Sequence, residues 1–136
     1  MLLTKNTLIQ LDYDTKTDTL TIDWPAIRAF ALPEVQHTFK LIVDTLKYYD
    51  IKRLLIDARH SVVEVSEADY QAIIFDFALS LNTTRVLKVA RIEACQPQQP
   101  AQAKQFTSLL QDARLFAWSC RNFKEKQAAI NWLIEA

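Results

Sequence analysis

Thr7-Leu8-Ile9-Gln10-Leu11-Asp12-Tyr13, then Asp14-Thr15-Lys16-Thr17-Asp18, then Thr19-Leu20-Thr21-Ile22-Asp23-Trp24: two stretches of period two stand on either side of a polar turn. In the second stretch Leu20, Ile22 and Trp24 fall on one face and Thr19, Thr21 and Asp23 on the other. In the first, Ile9, Leu11 and Tyr13 oppose Gln10 and Asp12, with Leu8 blurring the pattern. Alternation of this kind marks half-buried strands, and two such runs around a short polar loop read as an antiparallel hairpin.

After the hairpin the period changes. Pro25 ends the second strand, and Pro33 opens a helix, where its missing N–H costs nothing. Val35, Phe39, Ile42, Leu46 and Tyr49 then form one helical face. The helix stops near Asp50, and Leu54-Leu55-Ile56 reads as a strand buried on both faces. Ser66 and Asp69 make a Ser-x-x-Asp start for a second helix with Tyr70, Ile73, Ile74, Phe77, Ala78 and Leu81 on its buried face. Asn82 is its expected left-handed end. A strand over 86–92, a loop over 96–102, a helix marked by Ala103, Phe106, Leu109 and Leu110, and a short strand over 115–118 follow. A last helix is expected to be capped by Asn122 with Glu125. The order is β-β-α-β-α-β-α-β-α. It predicts a single α/β domain over 1–136: one mixed sheet, antiparallel at the N-terminal hairpin and mostly parallel through the βα units.

The counts narrow the function. The chain has 136 residues, half of them apolar, with 16 Lys plus Arg against 16 Asp plus Glu. This balance supplies no field to draw in nucleic acid, so no nucleic-acid partner is expected. It also removes the repulsion that keeps small proteins apart, which permits a homodimer. No signal peptide pattern and no run near the ~20 apolar residues of a membrane span is visible, so a cytoplasmic protein without an integral membrane segment is expected. Glycine is absent altogether, where about nine or ten would be usual. Dinucleotide fingerprints, Walker loops and nucleophile elbows all need glycine for a positive φ or a close phosphate approach, and none can be built here in its usual form. Turns fall instead to Asp14, Asp18, Asp50, Asn82 and Asn122. Cys95 and Cys120 lie in different elements without a His or Cys at ligand spacing and read as reduced, half-buried thiols. His37 reads as a surface residue, and Glu64, Glu67 and Asp69 as charges favoured near a helix N-terminus rather than as cation ligands. No metal, cofactor or catalytic set is expected.

The opening hairpin, Lys52-Arg53-Leu54-Leu55-Ile56-Asp57-Ala58-Arg59, and the closing Phe123-Lys124-Glu125-Lys126-Gln127-Ala128-Ala129-Ile130-Asn131-Trp132-Leu133 together resemble the SpoIIAA-like branch of the STAS superfamily. The resemblance implies a binding and regulatory domain rather than an enzyme. Members of that branch carry a phosphorylatable serine in an Asp-Ser-x-Gly stretch after a strand. Here that stretch reads Asp57-Ala58-Arg59-His60-Ser61. Alanine replaces the serine and histidine the glycine, so the phosphoswitch is not carried over to Ser61. Some members of the wider fold group bind lipids or other small apolar ligands, which the likeness permits.

Two segments stand out as candidate sites. Asp57, Arg59, His60 and Ser61 follow a parallel strand, where α/β sheets gather their ligand sites, and Ser66 begins the next helix. Asp57 orients His60 and Arg59 holds an anion in one reading. In the other, Asp57 caps local N–H groups or pairs with Arg59, and His60 faces water. The second segment is an apolar flap over 24–32, with Trp24, Ile27, Phe30 and Leu32. Most aromatic residues fall on core positions, with Phe75 and Trp132 as exceptions. The leading functional expectation is a regulatory module with a protein partner. The alternative is a binder of an apolar or anionic small molecule, which a pocket of several hundred Å³ beneath the flap would favour.

Overall fold

The structure, a computed structural model, describes residues 2–5, 10–23, 27–28, 32–59, 63–92 and 118–135. The helix expected around 103–110, the strand expected over 115–117, Cys95, His60, Ser61, Trp24 and Phe30 lie outside the described residues. The elements are β1 (Leu2–Lys5), β2 (Gln10–Asp14), β3 (Thr19–Asp23), β4 (Ile27–Arg28), α1 (Leu32–Tyr48), β5 (Arg53–Asp57), β6 (Val63–Glu64), α2 (Glu67–Leu81), β7 (Lys88–Ile92), β8 (Ser119–Phe123) and α3 (Lys126–Ile134). The main sheet has the order β1-β2-β3-β5-β7-β8, and β4 pairs with β6 in a two-stranded ribbon.

The hairpin forms as its alternation dictates. β2 and β3 pair antiparallel with Leu11 opposite Ile22 and Tyr13 opposite Leu20, which places the three aliphatic side chains fully in the core. Asp14 accepts the Lys16 N–H at 2.9 Å, and the Tyr13 hydroxyl donates to Asp18 Oδ1 at 2.8 Å. The hairpin is, however, part of a three-stranded meander. β1 adds to β2 antiparallel, with a register irregularity between Leu2 and Thr4. From β3 onward the sheet is parallel: β3–β5, β5–β7 and β7–β8. The mixed sheet inferred from the change of period is therefore present.

The sheet is covered on both faces. Leu54 and Ile56 of β5 join α1 and α2 in the larger core, while Leu55 joins Ala90, Ile92, Ala129 and Leu133 beneath α3. The run Leu54-Leu55-Ile56 is thus buried on both sides, as a central parallel strand requires. Helix α1 buries Val35, Thr38, Phe39, Ile42, Val43 and Leu46, and its Phe39 ring stacks on Phe77 of α2 at 4.8 Å.

Helix ends show how the chain manages without glycine. At the end of α1, Asp50 takes φ 51°, the Ile51 N–H donates to Leu46 O at 3.0 Å and the Asp50 N–H to Lys47 O at 3.3 Å. This is a Schellman closure with aspartate in the position normally held by glycine. Asp18 in the hairpin turn also takes φ 51°. Asn82 does not play the expected left-handed part: its φ is −63°. Instead α2 ends in tight turns, with the Thr83 and Thr84 hydroxyls each donating at 2.6 Å to the carbonyls of Ser80 and Leu81, so a left-handed residue is not needed to satisfy them.

Four further expectations are corrected. Tyr49 lies past the end of α1 and is 43 % exposed rather than on its buried face. The apolar flap contains a strand, β4, and its last residue, Leu32, is the first of α1, half-buried against the core. Of the strand expected over 115–118 only Trp118 is described, and it lies before β8, which begins at Ser119. Asn122 belongs to that strand, opposite Arg91, so the residue before α3 is Glu125, which makes no side-chain cap. Main-chain pairing with β7 satisfies more backbone groups than one side-chain cap could.

Candidate functional site

Strands β3, β5 and β7 end side by side, with Asp23, Asp57 and Ile92 in register. The Ala58 N–H adds one more ladder bond to Ile92 O at 3.0 Å, so the chain leaves the sheet at Arg59. That turn is organised by Asp57. Its Oδ1 accepts the Arg59 backbone N–H at 3.1 Å and the Arg59 Nε–H at 2.9 Å, and its Oδ2 accepts Arg59 Nη2–H at 2.7 Å. This is a two-pronged guanidinium–carboxylate pair on a side chain only 11 % exposed. Of the two sequence readings, the geometry realises the one in which Asp57 caps local N–H groups and pairs with Arg59.

The loop then returns to the molecule through β6. Val63 and Glu64 pair parallel with Ile27 and Arg28 of β4. Ile27 and Arg28 of the flap and Val63 and Glu64 of the loop, the two segments singled out in the sequence, are therefore joined by main-chain pairing. Beyond β6, Val65 packs on the core, so this valine anchors the loop rather than facing a partner. The Ser66 hydroxyl accepts the Asp69 N–H at 3.2 Å, the helix cap that the Ser-x-x-Asp spacing predicts. Glu64 and Asp69 are exposed beside it.

A second polar group near this edge was not anticipated. Arg91 of β7 is only 6 % exposed. Alternation with Val89 turns it to the α1–α2 face, and its charge reaches both Tyr70 of α2 and Cys120 of β8. Burial raises the Tyr70 hydroxyl above the ordinary tyrosine value, with Arg91 pulling the other way. Burial likewise pushes the Cys120 thiol up to about 12, again with Arg91 opposing. A thiol so placed stays protonated and is a poor nucleophile at neutral pH. Arg91 and Lys88 are the two charged residues of the strand, and the sequence carries no mark of which of them is buried.

Among the described residues no group of three or more His, Cys, Asp or Glu side chains is arranged to hold a metal ion, and no helix is long and apolar enough to cross a membrane. Among the described residues, a groove of about 660 Å³ is lined by α1, α2 and Thr83.

Compared with solved structures, the chain is similar to an uncharacterized protein of the DUF3478 family from Shewanella loihica PV-4, described as having a SpoIIAA-like fold. The likeness covers 96 % of this chain and 98 % of that one, at a TM-score of 0.59 and 15 % sequence identity. The fold is SpoIIAA-like. At that identity the likeness is one of architecture, and it agrees with the resemblance carried by the hairpin and by residues 52–59 and 123–133. No protein-family model and no curated protein matches the chain.

Proposed function

We propose that this protein is a non-catalytic regulatory module of the cytoplasm, which binds a protein partner through the C-terminal edge of its SpoIIAA-like sheet. The observation that carries the reading is the β4–β6 ribbon, which ties the flap and the 57–66 loop into one presented unit. Loops at this edge, held by a rigid sheet, are where α/β folds place their contacts. The chemistry at the edge favours binding over catalysis. Asp57 and Arg59 are engaged with each other, Ser66 is engaged as a helix cap, and Cys120 is held as the thiol. A catalytic site would need a nucleophile, a base and an anion-stabilising group converging on one point.

The test replaces Arg59 and His60 together by alanine and compares affinity-purified partners of the two chains by quantitative mass spectrometry. We expect the variant to melt within a few degrees of the parent, because the Arg59 pair is partly exposed and worth about 1 kcal/mol, and to lose one or more partners. A variant that folds and retains every partner of the parent chain would show the loop to be only a connection.

A further inference from the structure

We draw no further inference here: the strongest candidate, the groove of about 660 Å³ lined by α1 and α2, carries nothing because nothing in the structure shows what covers it.

Discussion

A chain without glycine still needs residues at positive φ, and the two described here are both aspartates, Asp18 and Asp50. Aspartate tolerates this region better than most side chains, yet a Cβ there still costs about 1–2 kcal/mol. Replacing Asp50 by glycine removes that strain and in exchange makes the unfolded chain freer by about 0.4–1 kcal/mol. The lost ion pair with Arg85, exposed on both sides, matters little. Asp50→Gly should therefore be as stable as the parent or slightly more so, whereas Asp50→Val should lose about 1–2 kcal/mol; urea unfolding midpoints check this, and the reverse ranking would contradict it. The half-buried Cys120 thiol yields a pH prediction. Folding raises its pKa from 9.0 to about 12, so the folded state keeps a proton that the unfolded chain releases. Its contribution is whole below pH 9 and is lost as pH rises toward 12, with a slope of at most about 1.4 kcal/mol per pH unit. Tyr70 is shifted in the same direction from a higher starting value of 10.0. Between pH 9 and 10 the loss should thus be shallower in Cys120→Ala than in the parent, and equal slopes would refute the assignment.

At the scale of elements, the C-terminus of α3 is held by two cations from neighbouring strands. Arg53 and Lys88 lie opposite each other in register. Arg53 Nε donates to Leu133 O at 2.7 Å while its Nη1 donates to Thr17 O at 2.7 Å. Lys88 Nζ donates to Trp132 O and Glu135 O at 2.9 and 2.7 Å and lies 5.0 Å from the Trp132 ring centroid. Positive charge is favoured at this end of a helix, and the bonds satisfy carbonyls that the helix leaves open. Arg53→Ala should cost about 1–2 kcal/mol and speed amide exchange in α3, because it unties both the helix and the hairpin turn. Unchanged exchange in α3 would show that the helix is held by packing alone. Legibility in the sequence differs among the elements for physical reasons. α1 and β3 were readable because each buries one face, and the period of that face is written in the residues. β8 reads Ser119-Cys120-Arg121-Asn122-Phe123, and its Ser119 and Arg121 are exposed. A strand on the edge of the sheet order, with so polar a composition, owes its place to main-chain pairing with β7, which side-chain periodicity does not report. β1 was missed for a related reason: four residues are too few to show a period.

For the whole molecule, the edge proposed to meet a partner lies at the strand ends, whereas the groove lies on the α1–α2 layer. By itself, the sequence determined the fold class, the antiparallel start, the doubly buried β5, the Ser66 cap and the absence of glycine-dependent phosphate loops. These are local properties, set by residue type and by spacings of two to four. Tertiary structure alone decided that Ile27 and Arg28 lie beside Val63 and Glu64, that Asn122 pairs instead of capping, that Arg91 is buried with its charge felt at Tyr70 and Cys120, and that Phe39 and Phe77 stack between α1 and α2. Each of these joins segments distant in the chain, and each is settled by main-chain hydrogen bonding or by the fit of packed surfaces, neither of which leaves a periodic trace in the order of the residues.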